Sequence, residues 1–451
     1  MSKQRIQLSD HFTYSRLLRF VLPCIGTMLF TSIYGIVDGL CVSNFVGKTA
    51  FAAVNLIMPL PMLLGTIGFM LGTGGSAIVG ITLGEGDQKK ADRYFTLFLL
   101  AALISVSVLA VLGIVFLRPI AVLLGAKGEL LDYAVRYGRI LMVSLPTFAL
   151  QNMFQSFFVT AEKPHLGFWF TVGAGCTNMV LDVLMVGIWG WGVEGAAIAT
   201  FISQLVGGVL PVFYFIDRSN SSRLHLCKTS FYSKVLRDAC INGSSELMTN
   251  LSMSLVNILY NYQLLRFAGE NGVAAYGVIM YAAFLFVAVF VGYAVGSAPI
   301  VSYHYGARNH AELNNLYSKS LRLIGVIAVV MTALSMLVIP YVARIFVGYD
   351  AQLLALTSHA FRVYALNFFL MGFNVYGSSF FTALGDGVTS ALISFLRTLL
   401  FQLLALIFLP MVLGIEGVWL AVTAAEAGAL CVTALMFITK DKVFHYRKAS
   451  C

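Results

Sequence analysis

Charge is what this sequence has least of. Only 11% of its 451 residues are Asp, Glu, Lys or Arg, against 59% hydrophobic. A soluble domain carries roughly 25% charged residues, so a water-exposed globule is excluded and a body solvated by lipid fits. The seven cysteines are scattered without a CxxC, which excludes a disulfide framework and a zinc site. No nucleophile elbow, phosphate loop or metal-ligand cluster occurs, so nothing marks an enzyme and no cofactor is expected. A cleavable signal peptide is not expected either. Lys3, Arg5, Asp10, His11, Arg16 and Arg19 make the start too polar, and the apolar run behind them outlasts an h-region. The net charge of +9 does not point to nucleic acid, because the basic residues sit in short segments between apolar runs.

Those apolar runs are what the chain does have. Crossing the hydrocarbon takes about 20 apolar residues per helix. That length predicts twelve spans, near 16–44, 51–83, 93–117, 132–160, 165–189, 193–216, 235–265, 273–304, 316–340, 354–383, 388–411 and 416–438. The short alternating strands of a β-barrel are not seen. With the N-terminus inside, the inner segments hold 20 Lys and Arg and the outer ones 5 (Lys48, Arg118, Lys127, Arg266 and Arg344). The positive-inside rule therefore places both termini in the cytoplasm.

The two sides of the polar segment 217–234 resemble each other at one offset of 222 residues. The shift pairs Gly74-Gly75-Ser76-Ala77-Ile78-Val79 with Gly296-Ser297-Ala298-Pro299-Ile300-Val301, and Gly84 with Gly306. It also pairs Thr160-Ala161 with Thr382-Ala383, and Gly192-Val193-Glu194-Gly195 with Gly414-Ile415-Glu416-Gly417. Six spans per half is an even number, so the repeats run parallel. The expected fold is an all-α integral membrane protein of twelve transmembrane helices in two six-helix lobes. The lobes are 1–217 and 235–451, joined by a cytoplasmic linker at 218–234. Such lobes facing a midplane cavity form an alternating-access transporter.

Polar residues within spans are costly and mark function. Thr27, Thr31, Tyr34 and Asp38 follow one another at steps of four, three and four, on one face of the first span. Asn178 and Asp182 share a face of the fifth. Asp38 and Asp182 lie roughly 10–12 Å from the outer ends of their helices, and Thr200 of the sixth span reaches a similar depth. Two carboxylates with Asn and Thr oxygens at one level suit a proton or a sodium ion. In the seventh span Glu246, Asn250, Asn257 and Asn261 fall within about 60° of one another and should line the cavity. The duplicates of Asp38, Asp182 and Glu246 are Tyr260, Leu404 and Cys24, so the acids are not part of the repeated scaffold. Gln151, Asn152 and Gln155 fit either substrate contacts or interhelical hydrogen bonds. Arg397, within the eleventh span, fits pairing to a helix end as well as a transport role. Pro23 and Pro299 are sites for kinks.

The stretch Val37-Asp38-Gly39-Leu40-Cys41-Val42-Ser43-Asn44-Phe45-Val46-Gly47, followed by Ala52-Ala53-Val54-Asn55 and Pro59, resembles the first-to-second-helix signature of multidrug and toxic compound extrusion (MATE) transporters. The Gly84 and Gly306 loops, and Asn178 with Asp182, are similar to that family too. The resemblance spans nearly the whole chain and points to the prokaryotic branch. It implies a V-shaped pair of lobes in the plasma membrane, a monomer expelling small cationic, often aromatic compounds in exchange for protons or sodium. It implies a cation cluster at Asp38, Asn178, Asp182 and Thr200, with Pro23 as the point where the first helix bends. The polar faces read above make Tyr34, Asn152, Gln155, Glu246, Asn250 and Asn257 the expected substrate-cavity residues, and Glu246 resembles a family acid on the seventh helix. The second acid that some sodium-coupled members carry in the C-terminal lobe has no evident counterpart, which leaves the coupling ion open. A lipid-linked oligosaccharide flippase of the same superfamily is the alternative, and basic cavity residues would mark it. A membrane enzyme or receptor would need a catalytic cluster or a large extramembrane domain, and the sequence offers neither.

Overall fold

The computed structural model describes residues 6–46 and 48–447, and side chains except those of 39–45, 48 and 51. Lys3, Arg5, Lys48 and Lys448 of the charge count, and most of the stretch from Gly39 to Gly47, lie outside the described side chains. Every described element is helical. In the first half these are α1 (Tyr14–Phe45), α2 (Lys48–Ile57), α3 (Pro59–Gly84), α4 (Gln88–Leu123), α5 (Glu129–Thr160), α6 (Pro164–Asp182), α7 (Gly192–Gln204) and α8 (Leu210–Ile216). The second half has α9 (Ser233–Asn242), α10 (Ser244–Gly306), α11 (His310–Val347), α12 (Ala351–Ala365), α13 (Phe368–Ala383), α14 (Gly387–Phe395), α15 (Phe401–Leu413), α16 (Ile415–Thr439) and the short α17 (Asp441–Phe444). Widened π turns continue α6 over Val183–Ile188, join α7 to α8, and join α14 to α15 over Leu396–Leu400.

Among the described residues nine helices are long and apolar enough to cross a bilayer, or ten with the bent pair α12–α13 taken as one span. The 63-residue α10 is more than twice the length a crossing needs. Its backbone leaves the helical region at Gly269 (φ 59°, ψ −149°), between the seventh and eighth spans. α5 misses the apolar set on hydropathy rather than length, because Gln151, Asn152 and Gln155 fall within it. With α10 taken as two arms and α5 included, each span expected from the sequence has a helical counterpart. The seventh differs in detail: the run expected as one helix over 235–265 is broken at Gly243, between α9 and α10. There the backbone packs directly on α3, and a Cβ at Gly243 would collide with the Met70 carbonyl.

The outer surface is apolar. Ile104, Val108, Val111 and Val115 form an exposed stripe along α4, at the helical spacing of a lipid-facing side. The repeat is visible in the helix ends. α3 and α10 end at Gly84 and Gly306, and α4 and α11 begin at Gln88 and His310, each pair 222 residues apart. The two ends also touch each other reciprocally. A Cβ on Gly84 would strike the Tyr303 carbonyl, and one on Gly306 would strike that of Ile81, the residue equivalent to Tyr303. Only glycine permits this backbone-on-backbone approach. The halves thus meet about a local two-fold axis.

Candidate functional site

A cavity of about 500 Å³ lies where α1 and α3 face the second half. Met28, Thr31 and Ser32 of α1 and Phe69, Thr73 and Ser76 of α3 form the first-half wall. The remaining lining comes mostly from α10, α13, α16 and the π turn after α14. Glu246, Asn250 and Asn257 line it, as their shared face required. Asn250 bonds back to the Glu246 carbonyl at 2.9 Å, and Asn257 accepts from the Tyr276 hydroxyl at 3.0 Å. The Glu246 carboxylate has no ion-pair partner among the described residues. Tyr276 stacks on Tyr260 at 4.8 Å, giving the cavity an aromatic wall. Asn261 is exposed and outside this lining.

Tyr34, Asn152 and Gln155 are placed elsewhere. Tyr34 lies beside Phe30, where α1 crosses α6 at Gly175. Asn152 is buried in α5 with its amide nitrogen unpartnered. Gln155 borders a separate small pocket with Cys24, Thr27 and Phe158.

The acids of the first half form a second site. Asp38 near the end of α1 and Asp182 at the end of α6 lie close enough to interact electrostatically, on two helices packed side by side. Asp182 is fully buried. Both of its oxygens, one of Asp38, and both amide atoms of the buried Asn178 have no partner. No basic side chain pairs with either acid among the described residues. Thr200, the fourth expected member, directs its hydroxyl to Ala196 O at 3.0 Å rather than to a carboxylate. Tyr137 of α5, buried and close enough to feel both acids, was not expected. Nothing in the local sequence of α5 singles it out. α1 runs through Pro23 without a break, and the Thr27 hydroxyl bonds the Pro23 carbonyl at 2.9 Å.

Glu426 of α16 is the functional-site residue that sequence reasoning missed. It is 1% exposed and takes the Arg397 Nε on one oxygen at 2.7 Å. Its other oxygen accepts from the Asn374 amide at 2.7 Å, and Thr433 donates to the Asn374 oxygen at 2.8 Å. Arg397 therefore pairs with a buried acid on a neighbouring span, not with a helix end. The one signal that could have found the pair is charge complementarity, since Arg397 and Glu426 are opposite charges deep in two adjacent apolar spans.

The fold and its two polar sites define a multi-pass helical membrane protein with a repeated half and a cavity between the halves. The MatE family model matches the chain twice, at residues 23–184 and 247–407. The chain belongs to this family. The matches start 224 residues apart, close to the repeat offset found above. The multidrug export protein MepA of Staphylococcus saprophyticus is 21% identical over 434 residues, covering 95% of each chain. The crystal structure of MATE in complex with MaL6 superposes with a TM-score of 0.92 at 24% identity, covering 98% of this chain and 100% of that one. An outward-facing multidrug resistance MATE transporter of the MOP superfamily also gives 0.92 at 24% identity, covering 99% of each. At that identity the likeness is one of fold. As a member of this family the chain is a membrane transporter and not an enzyme.

Proposed function

We propose that this protein exports small cationic, often aromatic organic compounds across the plasma membrane in exchange for a proton or a sodium ion. The reading rests on one observation: the uncompensated acid pair Asp38–Asp182 is separate from the cavity, where a second unpaired acid, Glu246, stands beside stacked tyrosines. Burying a charge without a partner is costly, so Asp38 and Asp182 call for a proton or a cation from solution. Asn178 supplies neutral oxygen to the same place, and Thr200 stands one helix away. Ionised, the two acids repel. Sharing a proton or a cation they attract, which draws α1 toward α6.

α1 is also a wall of the cavity. Met28, Thr31 and Ser32 lie between Pro23 and Asp38 on one helix. Proline removes a backbone hydrogen bond, so Pro23 is where α1 bends at least cost. Loading the acid pair then moves the cavity wall and changes the affinity for a cation held by Glu246, Asn250, Asn257 and the tyrosine faces. That coupling is what antiport requires. The charge asymmetry of the loops supports a topology with both termini and the 218–234 linker in the cytoplasm, and in this reading lobes 1–217 and 235–451 rock about the glycine crossing as one monomer. Against lipid-linked sugar export, Arg397 is the single basic side chain lining the cavity among the described residues and Glu426 balances its charge, so there is no basic cluster to hold a pyrophosphate.

Inverted vesicles with pH and sodium gradients imposed separately test the reading. Export of an aromatic cation should follow one gradient and collapse when that gradient is dissipated. Export indifferent to both would remove ion coupling from the account.

A further inference from the structure

The cavity holds a basic group as well as an acidic one, and its geometry is unlike that of a plain charge-neutralising pair. Arg397 touches Glu426 through Nε alone. An arginine that only neutralises a carboxylate commonly does so as a two-pronged fork. Here Glu426 offers its second oxygen to Asn374, which is itself held by Thr433. The network Thr433–Asn374–Glu426 therefore grips the guanidinium by one edge and fixes its orientation. Its two terminal amino groups have no protein acceptor among the described residues, and the side chain, 13% exposed, lines the cavity with Thr398, Gln402 and Tyr364. A guanidinium with a free edge in a mostly apolar cavity matches a planar oxyanion in shape and in donor count. On the α10 wall of the same cavity stands Glu246, unpaired and suited to a cation.

We propose that Arg397 is a subsite for a carboxylate on the same organic molecule whose cationic end meets Glu246. The proposal rests on the export reading above and deepens it. Glu426 and Asn374 act as positioning residues, and Arg397 makes the contact. Because Glu426 already balances the charge of Arg397, the subsite gains a carboxylate through directed hydrogen bonds and leaves the cavity open to cations that lack one.

The test uses two dyes that share a ring system. Rhodamine 6G carries an ethyl ester and is cationic, and rhodamine 19 is the corresponding free acid. Fluorescence polarisation with the protein in lipid nanodiscs gives a Kd for each. The variants are Arg397→Lys and the double change Arg397→Gln with Glu426→Gln, in which two amides replace the ion pair and no buried charge is stranded. The ratio of the two affinities is the readout, because a general loss of fold or of cavity shape moves both dyes together. The double variant should shift that ratio against the free acid by about tenfold, or 1.4 kcal/mol, and Arg397→Lys should fall between. An unchanged ratio in the double variant overturns the subsite. Export of the ester by the wild type in inverted vesicles is read in parallel. Ester export with an unchanged ratio sinks the subsite alone, whereas absence of ester export sinks the export reading beneath it.

Discussion

Each half of the chain sets a pair of ionisable side chains between neighbouring helices, and the two pairs follow opposite rules. In the first half Asp38 and Asp182 carry like charges and no donor reaches the buried oxygens of Asp182. In the second half Arg397 and Glu426 carry opposite charges, and both Glu426 oxygens have partners. A like-charged pair must take its compensation from solution, so its state follows the ion outside. An oppositely charged pair brings its own compensation and is indifferent to that ion. The repeat sharpens the contrast. Under the 222-residue shift Asn374 and Glu426 correspond to Asn152 and Gln204, an amide pair with a buried unpartnered atom on each side chain. The second half thus places an acid and its counter-charge on a scaffold that the first half leaves neutral, while the first half builds its acids elsewhere.

The largest effect expected is on coupling. Asp38→Asn and Asp182→Asn should each reduce gradient-driven export to background in inverted vesicles, whereas Glu194→Gln, whose carboxylate faces Arg136 at 3.8 Å with both side chains exposed, should transport normally. Full coupled export by Asp38→Asn across pH and sodium would end the distinction between the halves. Stability should respond the other way round. Removing one partner of a buried ion pair strands the other charge, so Glu426→Gln should lower stability by about 3–5 kcal/mol. Asp182→Asn removes a like charge and should unfold at or above the wild-type temperature. Thermal unfolding of the two variants side by side is the measurement. Equal losses in both would mean that the first-half pair is compensated after all.

Smaller effects come from the seam that both halves share. Gly84→Ala and Gly306→Ala push a methyl group into equivalent carbonyls and should each cost about 1–3 kcal/mol from overpacking. Near-equal losses are expected if the crossing is symmetric, and a neutral result at one site alone would show that it is not. The smallest effect concerns Asp386, in the turn before α14. Burial works against its charge, but Lys440 at 2.7 Å and Thr389 outweigh it and hold the carboxyl below its usual range. A lowered folded value means stabilisation that is present above the unfolded range and lost as pH falls through the folded one. Asp386→Asn should therefore lose under about 1 kcal/mol at neutral pH, and the gap to wild type should close in acid. A gap that widened in acid would reverse the sign of this argument.

Much of this was legible because a bilayer makes strong demands on sequence. Span positions follow from the length needed to cross, and the repeat showed itself in glycine-rich helix ends whose tight contact tolerates no side chain. The Asp38 and Asp182 pairing was legible through helical spacing and depth, since both acids sit on polar stripes at one level. Arg397 with Glu426 was not recovered, because Glu426 lies among alanines with no polar stripe to flag it. Tyr34, Asn152 and Gln155 looked equivalent to Glu246 as polar residues in spans, yet they face other helices. Helical phase gives a face within one helix but not the neighbour which that face meets.

The amino-acid sequence alone determined that this is a lipid-solvated, duplicated helical bundle with acids in its first and seventh spans, because hydropathy, spacing and repetition are properties of the chain itself. Which polar residues share a cavity, which acid has a counter-charge and which has none were decided only by the tertiary structure. Those outcomes depend on how helices rotate and cross. Here the crossing is set by backbone contact at Gly84, Gly243 and Gly306, and the local register by π turns that begin just after Asp182 and enclose Arg397.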